Sequence, residues 1–220
     1  MNTNAHAAVV IGSDIDPVDG PITLDANFSF GGDTTVASDS IPSAAVGTDG
    51  FGSLFGGNGT AVDTYVYTYD VDVLADNLAL AAGTALNDDG DASTGLAAGG
   101  TGTYNIYATW PITNTVSGGN TTYTLTDDMG STLFSVSIDQ NTINGFVDPA
   151  NGQTFAGGEW VPLSSATLDA TKTYTLTQES GAATFVSMRS AGILFEPVPE
   201  PSSILLFAMC AVYGVCLRRR

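Results

Sequence analysis

Both cysteines of this 220-residue chain, Cys210 and Cys216, lie in its last eleven residues, so the body before them has none. That excludes a disulfide framework, a thiol nucleophile and a thiolate metal site from the body. There is one histidine, His6, at the extreme N-terminus. A Ser-His-Asp triad is therefore unavailable, and so are the common zinc, haem and iron–sulfur ligand sets. Basic residues are scarce: five Lys and Arg stand against 23 Asp and Glu, for a formal net charge of −18. Three of the five are Arg218, Arg219 and Arg220, and setting them aside leaves −21. A nucleic-acid partner needs a basic patch, which this chain cannot build. No Gly-rich loop stands between a strand and a helix, so a nucleotide site has no support. Hydrophobic residues make up 43% of the chain, too many for a disordered acidic tail.

The body instead alternates. Thr64 to Tyr69 places Tyr65, Tyr67 and Tyr69 on one strand face. Gly102 to Trp110 sets Tyr104, Ile106, Ala108 and Trp110 against Thr103, Asn105, Tyr107 and Thr109. Thr122, Thr124 and Thr126 oppose Tyr123 and Leu125, Phe134, Val136 and Ile138 share a face, and Tyr174 and Leu176 alternate with threonines. Phe185 to Phe195 reads as one or two closing strands. Turn signals separate these runs at Asp128-Met129-Gly130, Ser117 to Asn120 and Asp148 to Gly152. Short half-polar strands at about ten-residue spacing predict an all-β fold, an antiparallel β-sandwich of jelly-roll type. The expected sandwich covers 22–196, since Thr23 to Phe30 also alternates, with 8–21 as a lead-in. Residues 31–62 are studded with glycine and read either as loops across one end or as a linker. Asp72 to Ala85 reads as a strand running into a loop.

The C-terminus has a different logic. Pro199-Glu200-Pro201 precedes fourteen residues without an ionised side chain, Ile204 to Leu217, and then the three arginines. As a helix this run spans about 21 Å, short against a bilayer core of about 30 Å. The expectation is a single short C-terminal transmembrane helix over 204–217, with Arg218, Arg219 and Arg220 on the cytoplasmic side and the acidic body outside. A buried core helix would not end in three arginines after a Pro-Glu-Pro break. These three parts in this order resemble the PEP-CTERM sorting signal, over 197–220. The resemblance implies recognition by an exosortase-type membrane protease that cuts near Pro199, Glu200 and Pro201. It also implies export to the surface or extracellular matrix of a Gram-negative-type bacterium, with transient anchoring in the inner membrane. At the other end Ala5-His6-Ala7 fits the small-x-small pattern before a signal-peptidase cut. Residues 1–7 are thus expected to be the remnant of a signal peptide whose start lies upstream; an ordinary N-terminus is the other reading.

A second resemblance runs through Gly102 to Pro111, Tyr123-Thr124-Leu125, Trp160-Val161-Pro162-Leu163, Thr173 to Leu176 and Phe185 to Phe195. This order is similar to the golvesin/xanthan-lyase carbohydrate-binding-like domain. Ser187 to Ser190 departs from the Ala-Asp-Ala-type run of that family. The resemblance implies a sandwich and carbohydrate binding. Sugars stack on aromatic faces while amides and carboxylates take their hydroxyls, which makes Tyr107, Trp110 and Trp160 the candidate contacts. Tyr107 stands foremost, being opposite the apolar row; Trp110 and Trp160 also read as structural.

Asn87-Asp88-Asp89-Gly90-Asp91 offers oxygen ligands for Ca2+ at Asp88, Asp89 and Asp91, and equally reads as a solvated turn. Asp14, Asp16 and Asp19 form a second acidic group. Glu159 with Asp148 or Asp169 could in principle supply the two carboxylates, about 5 to 9.5 Å apart, that a glycosidase needs, but a chain this acidic is expected to hold such a pair by chance. The expected function is an exported, non-catalytic polysaccharide-binding module. The alternative is a structural or adhesive surface protein whose association depends on calcium and charge.

Overall fold

A computed structural model describes residues 8–14, 22–31, 38–40, 43, 45, 52–56, 64–70, 78–80, 101–111, 120–140, 146–147, 154–155, 158–169, 171–180 and 188–198. Strands β1 (Ala8–Gly12), β2 (Phe28–Gly31), β3 (Ser38–Ser40), β4 (Ser53–Gly56) and β5 (Thr64–Asp70) come first. Next are β6 (Leu78–Leu80), β7 (Gly102–Thr109), β8 (Asn120–Asp127), β9 (Thr132–Asp139) and the short pair β10 (Phe146–Val147) and β11 (Thr154–Phe155). β12 (Val161–Leu168), β13 (Thr173–Ser180), β14 (Met188–Ser190) and β15 (Gly192–Pro197) complete the strands among the described residues.

Two five-stranded antiparallel sheets result, in the orders β12-β7-β15-β1-β6 and β2-β5-β13-β8-β9. A third sheet, β14-β4-β3, adjoins them, and β10 pairs with β11. The alternation of the sequence decides which face turns inward. Tyr65, Tyr67 and Tyr69 of β5 are buried, as are Tyr104, Ile106 and Ala108 of β7, Tyr123 and Leu125 of β8, and Tyr174 and Leu176 of β13. These residues form one core cluster fed by both sheets, which makes the fold an antiparallel β-sandwich. At its centre the Tyr69 ring of the second sheet stacks on the Phe195 ring of the first, 4.2 Å between centroids and 7° between planes. Tyr104 meets Tyr69 edge-on at 6.0 Å. Phe28 packs edge-on against Phe30 and Tyr67 and tilted against Tyr65, closing the β2 side.

The start of the sandwich differs from the sequence expectation. Residues 8–21 read as a lead-in, yet β1 lies inside the first sheet, paired with β15 on one side and β6 on the other. The reason lies in Ala8-Val9-Val10-Ile11, a continuous apolar run in which both Val10 and Ile11 are fully buried. A strand covered on both faces does not alternate, so a search for period two passes over it. Within 31–62, β3 and β4 are strands of the third sheet and are joined to the body through β14. Asp72 to Ala85 contains β6. Of the closing run, β14 and β15 are two strands in different sheets, with Ala191 at the crossing.

That crossing is held by polar groups. Gln140 Nε2 donates to the Tyr123 hydroxyl and to the Arg189 carbonyl, both at 2.8 Å, while the Arg189 amide donates to Gln140 Oε1 at 2.9 Å. Gln178 Nε2 donates to the same carbonyl. The Ser13 hydroxyl donates to the Ser190 carbonyl, and Tyr67 and Ser190 share a hydroxyl–hydroxyl bond. Burial drives the Tyr67 and Tyr123 hydroxyls far above the usual tyrosine range, so both stay neutral donors and acceptors. These buried bonds fix where the chain leaves one sheet for the other, with Gln178 Oε1 left without a hydrogen-bond partner among the described residues.

The β8–β9 turn obeys its residue types. Gly130 sits at φ +78°, and the Asp127 carboxylate accepts the amides of Met129 and Ser131 at 3.0 and 2.8 Å. A Cβ at Gly130 would touch nothing within 4 Å, so only the backbone opposes substitution. Gly130→Ala is expected to cost about 1 kcal/mol in chemical denaturation, the penalty for placing a Cβ in the left-handed region. No change in unfolding midpoint would contradict this.

Candidate functional site

Tyr107 lies on the outer face of the first sheet, as its place opposite Tyr104, Ile106 and Ala108 requires. Its register partners are Pro162 on β12 and Leu194 on β15. Its hydroxyl donates to Glu196 Oε2 at 3.1 Å. Partial burial, and then the nearby Glu196 carboxylate, push its pKa up to about 12. The hydroxyl therefore remains a donor across the physiological range. Beside it, Asn105 pairs with Glu196 on one side and with Ser165 on the other. Asn105, Tyr107, Pro162 and Glu196 are half-buried, and Thr103, Ser165 and Thr167 are exposed. Towards β1 the face is closed, because Val10 and Leu194 are buried. The open part is thus the strip along β7 and β12. It presents one aromatic ring, one amide, one carboxylate and several hydroxyls.

The two tryptophans separate. Trp110 belongs to the core cluster, with 2% of its surface exposed, and its ring offers no face to a ligand in this structure. Its carbonyl accepts the Gly158 amide, which ties the end of β7 to the segment before β12. Trp160 is half-buried directly before Val161. Because Val161 points into the core, Pro162 falls on the outer side that Tyr107 shares. The strip therefore presents Tyr107, has Trp160 two residues before Pro162 in the chain, and leaves Trp110 in the core. Glu196 and Asn105 were not singled out by the sequence reading. Asn105 carried a signal, since it shares the Tyr107 face by period two, whereas Glu196 becomes a neighbour only through the β7–β15 pairing.

Glu159 and Asp169 do not form a catalytic pair. They flank opposite ends of β12, whose eight residues extend about 26 Å, far beyond the separation that glycoside hydrolysis needs. Asp148 lies outside the described residues, as do Asp88, Asp89 and Asp91. Of the N-terminal acidic group only Asp14 is described. It is buried, and its carboxylate accepts the Thr23 amide at 3.0 Å. Nearby Asp25 accepts the amides of Gly12 and Asn27. No group of three or more metal-ligating side chains occurs among the described residues. Pro199, Glu200, Pro201, the apolar run 204–217 and Arg218, Arg219 and Arg220 also lie outside them. Among the described residues no helix is long and apolar enough to cross a membrane.

Neither cation of the body is available to a ligand at the surface. Lys172 Nζ is 3.1 Å from Asp127 Oδ2 and 3.7 Å from Asp128 Oδ1. Arg189 is buried, its guanidinium 5.0 Å from the centre of the Phe55 ring. The Asp127 pKa is lowered, by the Ser131 amide first and then by Lys172. A carboxyl with a depressed folded pKa stabilises the fold above its unfolded value of about 4, and that contribution disappears as pH falls through the folded pKa. Asp127→Asn is accordingly expected to lower the melting temperature more at pH 7 than at pH 2. An equal effect at both pH values would contradict the assignment.

No curated protein sequence matches the chain. Two solved structures are similar in shape. One is TmCBM61 in complex with β-1,4-galactotriose, at 11% identity, covering 78% of this chain and 89% of that one, with a TM-score of 0.39. The other is the family 11 carbohydrate-binding module of the cellulosomal cellulase Lic26A-Cel5E of Clostridium thermocellum, at 11% identity, 86% and 97% coverage and a TM-score of 0.36. Residues 197–220 match the family model of the PEP-CTERM protein-sorting motif. The chain thus ends in a PEP-CTERM sorting motif, which implies an exported protein processed by an exosortase-type protease.

Proposed function

We propose that the exported body is a non-catalytic module that binds extracellular polysaccharide along the β7–β12 strip. The observation that carries this reading is the half-exposed Tyr107 ring, held by Glu196 and flanked by Asn105 and Pro162. An aromatic face takes the apolar side of a pyranose, and the amide and carboxylate take its hydroxyls. The fixed ring loses little conformational freedom on binding. The ligand is a polymer of neutral sugars. Glu196 supplies negative charge at the strip, Lys172 is paired with carboxylates, and Arg189 is buried, so a uronate chain would meet repulsion with no cation to offset it.

Affinity electrophoresis of the protein through gels containing a uronate-bearing polymer, and the same polymer after carboxyl reduction, tests this reading. Retardation by the reduced polymer and not by the native one is expected. Retardation by the native polymer alone would overturn the neutral-sugar assignment, and retardation by no polysaccharide tried would overturn the binding module itself.

A further inference from the structure

The last strand leads directly into the sorting motif. Pro197 pairs with Tyr104, and the Val198 amide donates to the Thr103 carbonyl at 2.8 Å. Pro199, the first residue of the Pro-Glu-Pro, is the next in the chain. Only residues 199–203 separate this anchored point from the apolar run that begins at Ile204. Fully extended, the chain from Val198 to Ile204 covers at most about 20 Å. The eight-residue strands of the sandwich are longer than that, about 26 Å.

The end of the body from which this short tether leaves is identifiable. The β7 residue Thr103 that holds Val198 neighbours the end of β12. The short link from β12 to β13 then brings the β8–β9 turn to the same end, where Lys172 reaches Asp127 and Asp128. Of the three large hydrophobic residues exposed among the described residues, two are at this end: Met129, 76% exposed, and Val198, 38% exposed. Asn120 and Asp139, paired with each other, mark the opposite end of the second sheet.

We infer that before processing the sandwich stands at the membrane with its Met129/Val198 end against the lipid surface. This rests on insertion of the apolar run 204–217. The tether imposes the orientation. The carboxylates of Asp127, Asp128 and Asp169 around Lys172 give the end no charge attraction of its own for anionic lipid. Hydrolysis of the chain near the Pro-Glu-Pro therefore removes what holds the end in place.

The test uses the full chain with Cys210→Ser and Cys216→Ser, since the body has no cysteine. A single fluorophore is attached at Met129→Cys or at Asn120→Cys, both exposed positions. Each protein is reconstituted into phosphatidylcholine vesicles doped with head-group spin-labelled lipid. Quenching at 129 is expected to exceed that at 120 several-fold. A chain that floats with the vesicles but is quenched equally at both positions, or more at 120, overturns the orientation. So does a floating chain whose label at 129 shows excimer emission without lipid quenching, which would assign that end to a second copy. Failure to float with vesicles would instead show that the apolar run does not insert, removing the reading on which the orientation rests.

Discussion

Phe195→Ala lowers the unfolding free energy by about 3–5 kcal/mol, the cost of emptying a fully buried aromatic site. The position is central. Phe195 is completely buried, its strand sits between β7 and β1, and its ring stacks on Tyr69 of the opposite sheet. Removing it takes away apolar burial, leaves a cavity, and breaks the ring contact that joins the two sheets. The aromatic pair itself contributes about 0.5–1.5 kcal/mol beyond the buried area. A loss of this size is a large share of the stability of an ordinary domain. Urea denaturation measures it. The double substitution with Tyr69→Ala should cost less than the sum of the single ones, because the two side chains share one contact. Strict additivity would mean that the sheets do not meet through this pair.

Tyr107→Ala weakens polysaccharide binding by at least about tenfold, equivalent to about 1.4 kcal/mol. The same substitution costs far less stability than Phe195→Ala, because Tyr107 is on the outer face and its hydroxyl bonds the part-exposed Glu196 and Asn105. Tyr107→Phe separates the two contributions. It keeps the ring and loses the Glu196 bond, so it should retain most of the affinity if stacking dominates. Wild-type binding should also be constant from pH 6 to pH 9, since the Tyr107 pKa is pushed up to about 12 and the hydroxyl keeps its proton throughout. Unchanged binding by a folded Tyr107→Ala protein would place the sugar contact elsewhere.

The sandwich was legible where a strand has one wet face. Tyr65, Tyr67 and Tyr69 or Tyr123 and Leu125 announce themselves because threonines alternate with them, and each of these residues is buried as expected. The same logic hides β1, whose Val10 and Ile11 are buried on opposite faces. It also hides which strand lies beside which: β1 pairs with β15 across almost the whole sequence, and no local pattern encodes that pairing. The site was legible to the same degree. Period two separates Tyr107 from the core row, and the turn chemistry of Asp127 and Gly130 follows from residue type. Glu196 is invisible to it, because only the β7–β15 register carries this carboxylate to the Tyr107 hydroxyl. The sorting motif needs no such register. It is a local string of Pro-Glu-Pro, apolar run and arginines, and it was read directly.

The measurement closest to the central claim is retardation of the purified protein by the producer's own exopolysaccharide, its carboxyls reduced, in affinity electrophoresis with and without calcium. The account expects saturable retardation that survives chelation and is lost in the folded Tyr107→Ala protein. Retardation that requires calcium and is indifferent to Tyr107, or no retardation in either condition, would contradict it.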